Sequence, residues 1–336
     1  MFVIASILAM LALLPTLLQD LERVINLQSK YARVSYRKQA KRATHLLLLG
    51  KAEVEAFRTF LVELYHADHG DTDTQTVIMQ PNSPDEEMMA VLKSQTFVGK
   101  VNFIEGNALS NKDLYRAATD SSNCVIILAN KYSYDPRAED YRNILQAFAV
   151  KQYTRSILNR EIRVCLQVLK PENKELFTSS LNYGQHDQVV CVDELKLYLL
   201  AKTCVCPGIN TIISPLITSS TPSVPTNPGT WIFDYLTGLQ NEIYRIPFDP
   251  EKFSGVSFSV VAQQIYKEFD IILFALEAKV AGVIRVFLNP SDYIFQDSLH
   301  YGYVIAGSLP DIEKISKFNF SDHIERSIDF ISFHFH

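Results

Sequence analysis

From residue 45 onward, short apolar runs alternate with amphipathic segments. HLLLLG (45–50) reads as a buried strand, and 52–66 as a helix with Val54, Phe57, Leu61 and Leu64 on one face. TVIMQ (76–80) is a second strand. Residues 83–95 read as a helix opened by the capping run Ser83-Pro84-Asp85-Glu86. VNFIEG (101–106) is a third strand, 111–119 a helix, and CVIILAN (124–130) a fourth strand that runs into a charged, tyrosine-bearing turn. Asp135 is placed to cap the next helix, with Pro136 at its first position and Tyr141, Ile144, Leu145 and Phe148 on one stripe. RVCLQVL (163–169) is a fifth strand, and VVCVDE (189–194) begins a sixth. This alternation predicts an α/β fold, a doubly wound, parallel, Rossmann-like sheet over 45–194.

The pattern changes after the sixth strand. Cys206-Pro207-Gly208 divides an apolar helix over 195–205 from a second short helix near 210–217. The whole of 195–218 reads as a helix–turn–helix dimerisation arm. SSTPSVPTNPG (219–229) reads as a Pro-rich linker. Residues 230–320 mix a helix over 260–276 with short strands at 283–288 and 301–307, which predicts a small α+β lobe.

The N-terminal stretch MFVIASILAMLALLPTLLQ (1–19) contains no charge. That is about the least that crosses a hydrocarbon core of ~30 Å. It lacks the positive leader of a signal peptide. A buried core helix is the alternative. Arg23, Lys30, Arg33, Arg37, Lys38, Lys41 and Arg42 follow, opposed nearby by Asp20 and Glu22. Such a basic flank faces the cytoplasm, which places the bulk of the chain there. The stretch reads as one partial transmembrane helix and 20–44 as a basic linker. A chain that starts inside such a helix reads as a piece of a longer protein.

Composition narrows the chemistry. A net charge of -5 argues against a nucleic-acid partner. The cysteines (Cys124, Cys165, Cys191, Cys204, Cys206) number five and lie mostly in apolar runs, which suits reduced thiols rather than a disulfide framework. A dinucleotide site needs glycines at the first strand–helix turn. That turn, LLLLGKAEVEAF, has Gly50 alone, so no NAD is expected. Serine-hydrolase, HExxH and P-loop patterns are missing too. The chain therefore reads as a sensing or assembly module and not an enzyme. A soluble NAD-dependent enzyme and a nucleotide-binding regulatory subunit stay open as alternatives.

The run CVIILANKYSYDPRAEDYRNILQAFAVKQY (124–153) resembles the first RCK domain, the regulator of potassium conductance, of Slo-type potassium channels. This family contains the calcium-activated BK channels and their sodium-activated relatives. LANKY, DPRAED and NIL look BK-like; LQVLKPENKELF (166–177) and the run from Val189 to Ile217 look closer to the sodium-activated branch. LLPTLLQDL (13–21) resembles the inner end of the last pore-lining helix, and NEIY (241–244) a signature of the peripheral lobe. The resemblance runs from about residue 1 to 318.

It implies a homotetramer around one pore in the membrane, a second RCK domain elsewhere in the full channel, and potassium as the conducted ion. Ion binding to the cytoplasmic ring would pull on the pore through 20–44. The family's calcium ligands fall on Asp68, in FLVELYHAD, and on Glu242, with Glu63 at another acidic position. A family serine ligand is replaced by Gln240, whose amide oxygen can serve, and a backbone oxygen falls near Ser220. A further serine falls at 281–283, where no hydroxyl stands. Sodium is the alternative ion. The family's magnesium site is expected to be lost, since its acids fall on Gln75 and Asn102. The acidic ring at the inner mouth falls on Thr16 and Gln19.

Overall fold

A computed structural model describes residues 29–37, 45–69, 74–219, 229–280 and 282–317. The expected membrane helix 1–19, most of the linker 20–44, and Ser220 lie outside the described residues. Among the described residues no helix is long and apolar enough to cross a membrane. The chain divides into two compact units. The first holds 29–37, 45–61 and 74–196, and the second holds 62–69, 197–219, 229–280 and 282–317.

The first unit is built on strands β1 (His45–Gly50), β2 (Gln75–Gln80), β3 (Val101–Glu105), β4 (Cys124–Leu128), β5 (Arg163–Val168) and β6 (Gln188–Cys191). They form one parallel sheet in the order β3-β2-β1-β4-β5-β6. Chain order reverses at β1 and β4, the point where doubly wound sheets switch direction. A strand covered on both faces can be apolar throughout, and Leu47, Leu48 and Leu49 in β1 are all fully buried. Each such side chain stabilises the fold by roughly 1.5–3 kcal/mol. β4 and β5 differ. Val125, Ile127, Val164, Leu166 and Val168 are buried, whereas Cys124, Ile126, Cys165 and Gln167 are half-buried and Arg163 is exposed. This half of the sheet is fully covered on one face only.

The helices of this unit follow the sequence with local shifts. Helix Glu86–Lys93 starts later than the capping run suggested. Asp85, not Ser83, caps it, accepting from Met88 N at 2.8 Å, and Ser83 Oγ donates to Glu105 instead. Asp135 caps helix Pro136–Leu158 by accepting from the N–H groups of Arg137 and Ala138. The apolar stripe expected on that helix is divided, because Ile144 is buried but Tyr141 and Leu145 are exposed. The buried face carries Asp140, Asn143, Gln146, Lys151 and Thr154 beside Ala147 and Val150. Two of these polar groups tie the helix to neighbouring segments. Asp140 accepts from Leu169 N at 2.7 Å, Lys170 N at 3.0 Å and Asn173 Nδ2 at 2.8 Å. Lys151 meets Asp187 at 2.6 Å with both side chains 1% exposed. Val164 N and Gly184 N donate to the same carboxylate at 2.8 and 2.6 Å. A Cβ on Gly184 would lie 2.9 Å from Lys151 Nζ, so glycine is what lets the chain close over this pair. Gly50 ends β1 with φ 108°, and a Cβ there would stand 2.0 Å from the carbonyl oxygen of Leu128.

The second unit centres on an antiparallel sheet in the order β7-β10-β8-β9 (Glu242–Phe248, His300–Ala306, Ile272–Val280, Val283–Leu288). Helix Phe258–Phe269 contributes Phe258, Val261 and Ile265 to a core with Ile246, Phe248, Leu273, Leu276 and Val304. The helix expected to reach 276 stops at Asp270, which takes a left-handed backbone (φ 58°) and closes the last turn through its N–H to Tyr266 O. Strand β8 begins two residues later. β7 was not foreseen as a strand. The two arm helices, Val192–Val205 and Ile209–Ile217, are joined through Gly208 (φ 89°) and contain no buried residue among those described.

Candidate cation site

Three segments of the second unit converge. The first is the end of helix Val54–Leu64, which carries Glu63 and continues through Tyr65 and His66 into a single 3-10 turn, Ala67–His69. The second is Ser219, two residues beyond the arm helix Ile209–Ile217. The third is the start of β7. Along β7 alternate side chains turn inward, so Glu242, Ile246 and Phe248 are buried and Tyr244 is half-buried. A carboxylate thus occupies the first inward position of a core strand.

His66, Asp68 and Glu242 each offer a ligand atom within 4.8 Å of the others. His66 Nδ1 stands 3.3 Å from Asp68 Oδ2. Ser219 Oγ lies 2.8 Å from Glu63 Oε1, 3.1 Å from Glu242 Oε2 and 3.0 Å from His69 Nε2. The backbone N–H of Ser219 donates to both oxygens of Glu63, at 3.2 and 3.1 Å. His69 Nε2 is also 3.7 Å from Glu242 and 3.9 Å from Glu63.

The donors do not match the acceptors. A hydroxyl carries one hydrogen, yet two carboxylates approach Ser219 Oγ. Whichever is not served faces a lone pair. Glu242 is 5% exposed, and its Oε1 has no hydrogen-bond partner among the described residues. A buried carboxylate left short of donors is costly unless a cation completes it. The Oη of Tyr244 is likewise buried without a partner among the described residues. Burial first, then the nearby carboxylates of Glu242, Asp68 and Asp311, pushes the Tyr244 phenol up to about 12. That shift records a concentration of negative charge around a poorly solvated group.

The ligand atoms are mainly oxygens, from the carboxylates of Glu63, Asp68 and Glu242 and the hydroxyl of Ser219, with a ring nitrogen from His66 among them. They fit a hard cation that takes six to eight oxygens. Gln240 precedes Glu242 by two residues and is half-buried, its N–H donating to Thr237 O at 3.2 Å. Sequence reasoning passed over His66, His69 and Ser219. The HADH run flanking Asp68 was the available signal for the two histidines. Gln75, where the resemblance places an acid of the family's magnesium site, is buried, accepting from Tyr36 Oη at 2.7 Å and donating to Gly99 O at 3.2 Å.

A parallel Rossmann-like sheet and a small antiparallel unit with a cluster of acids at the start of β7 are the features of an RCK-type fold. A family model described as the calcium-activated potassium channel slowpoke-like RCK domain matches residues 41–166, and one described as the calcium-activated BK potassium channel alpha subunit matches 187–276. The calcium-activated potassium channel slowpoke of Drosophila melanogaster is 27% identical over 318 residues, covering 93% of this chain and 26% of that protein. The structure of the human SLO3 gating ring has the same fold, with a TM-score of 0.63 and 24% identity over 81% of this chain and 45% of that one. The chain therefore spans about a quarter of the length of the slowpoke channel. Over residues 41–166 and 187–276, and along most of its length against the slowpoke channel, the chain is similar to the RCK gating-ring region of Slo-type potassium channels.

Proposed function

We propose that this chain senses an intracellular cation for a tetrameric potassium channel and transmits the binding to the pore. Calcium is the ion of choice, held by Asp68 and Glu242, with Gln240 adding an amide oxygen and Ser220 a backbone oxygen. Sodium is the competing ion. The observation that carries this reading is the buried Glu242 carboxylate, which keeps one oxygen without a partner among the described residues, close to Asp68 and His66 and joined to Glu63 through Ser219. A bound cation would supply what the Ser219 hydroxyl cannot, a positive charge beside the acids.

A ligand shifts a conformational equilibrium only by its differential affinity for the two states. Here the acids come from separate segments, so a cation that draws them together favours whichever arrangement brings the segments closest. The channel assembly supplies the rest of the reading. Residues 1–19 enter the membrane, 20–44 form the pulling linker, and further copies and a second RCK domain complete the ring. The chain performs no chemistry of its own in this scheme. NAD is not a ligand. The groove at the ends of β1 and β2 is lined by Glu53, Glu55, Asp85 and Glu87 against Lys51, a charge balance that repels a pyrophosphate.

Calorimetric titration of the full chain tests the assignment. Calcium should bind, and Asp68→Asn and Glu242→Gln should each weaken it by roughly tenfold or more, as expected for loss of a charged ligand. Sodium at matched ionic strength is the control for the competing ion. Unchanged calcium affinity in the double variant would refute the site.

A further inference from the structure

Two thiols meet on the thinly covered half of the first unit's sheet. Cys124 opens β4, and Cys165 stands third in β5. The strands pair Cys124 with Arg163 and Ile126 with Cys165, so the cysteines are diagonal neighbours on one face. Their sulfurs are 3.8 Å apart, within range of an S–H···S hydrogen bond. Both residues are half-buried, whereas Cys191 is buried and Cys204 and Cys206 are exposed. Arg163 lies two residues before Cys165, on the same face of β5 and directly across from Cys124. One proton between two sulfurs, beside a guanidinium, is an arrangement that retains a thiolate.

The titration behaviour agrees. Donation from Cys124, with help from Arg163, holds the Cys165 thiol well below its usual range, against an opposing effect of burial and of Asp187. The same hydrogen bond, reinforced by burial, pushes Cys124 up. The pair thus gives up its first proton easily and keeps its second.

We propose that Cys165 is a peroxide-reactive thiolate which Cys124 steadies, making this pair a site of oxidative modification with hydrogen peroxide and small hydroperoxides as co-reactants. The Cys165 sulfur attacks one peroxide oxygen. An S–O bond forms as the O–O bond breaks, and the second oxygen leaves as hydroxide or alkoxide and takes a proton from water. Sulfur is oxidised by two electrons and the peroxide is reduced by two. The product is a sulfenic acid on Cys165. Cys124 is paired with Arg163 and not with Cys165, so the two cysteines are not direct cross-strand partners. The sulfenic acid is the expected end of the sequence, with Cys124 in hydrogen-bond range of it.

The full chain, treated with limiting hydrogen peroxide and a dimedone-type trap, should be labelled at Cys165 ahead of the more exposed Cys204 and Cys206 when peptides are quantified by mass spectrometry. At pH 6.5 the advantage should be several-fold and should vanish in urea. Cys124→Ala should move the pH profile of Cys165 labelling upward and slow it several-fold at pH 6.5, and Cys124→Ser, which keeps a donor, should restore much of it. Arg163→Gln, at an exposed position, gives a second and smaller upward shift should the alanine variant fail to fold. A Cys165 profile centred near the ordinary thiol value of about 8.5, first labelling at Cys204 or Cys206, or a profile indifferent to Cys124→Ala and Arg163→Gln would each overturn the proposal.

Discussion

Asp187 in the first unit and Glu242 in the second are both buried acids, 5% exposed each, yet they stand in opposite circumstances. Asp187 has Lys151 Nζ at 2.6 Å and the N–H groups of Val164 and Gly184 on its two oxygens. Glu242 shares one hydroxyl with Glu63, has His69 at 3.7 Å, and leaves Oε1 without a partner among the described residues. Burial alone does not separate a structural carboxylate from a ligand-seeking one. The state of its remaining lone pairs does. Asp140, with three donors of its own, belongs with Asp187.

The largest test of this contrast is Lys151→Met. It strips the counter-charge from Asp187 and should cost the first unit about 3–5 kcal/mol, measured by urea unfolding, while calcium titration of the still-folded protein stays unchanged. A cost below about 1 kcal/mol would remove the distinction between the two acids, since surface-like ion pairs give that much. The intermediate case is Glu242→Gln in the presence of a chelator. Replacing an underserved charge by a neutral amide should leave stability unchanged or raise it by about 1–2 kcal/mol, read from urea midpoints. A loss comparable to that of Lys151→Met would show that Glu242 is as structural as Asp187. The smallest effect is expected from Tyr244→Phe. Its phenol stays protonated at working pH and its Oη has no partner among the described residues, so removing the hydroxyl should stabilise the chelated protein by about 1 kcal/mol or less.

Much of the first unit was legible because its strands are short apolar runs separated by capped helices. Only elements buried on both sides, such as β1, read that way without ambiguity. The second unit was harder. EIYRIPF mixes charge and proline into a strand, and nothing local marks it as one. The helix through 276 was overextended because apolar residues continue past Asp270, and the left-handed turn that ends the helix is a backbone event. The divided stripe on helix Pro136–Leu158 has a similar cause. Its inward face carries Asp140 for the N–H groups of Leu169 and Lys170 and Lys151 for Asp187, pairings that periodicity does not register. Asp68 and Glu242 were named through family resemblance. Their proximity follows from the fold alone, since no spacing rule links residues so far apart, and the roles of Ser219 and His69 emerged only with the distances.

Pro247 has a wider consequence. It sits in β7, the margin of the second sheet, opposite Tyr301 of the only strand paired to β7 among those described. A proline has no N–H to offer and is tolerated in sheets chiefly along such margins. The outer rim of β7 is therefore a ladder with a missing rung, a poor template for strand capture by another molecule. The strand that begins at Glu242 is thereby denied to the amyloid-like stacking that bare sheet borders invite.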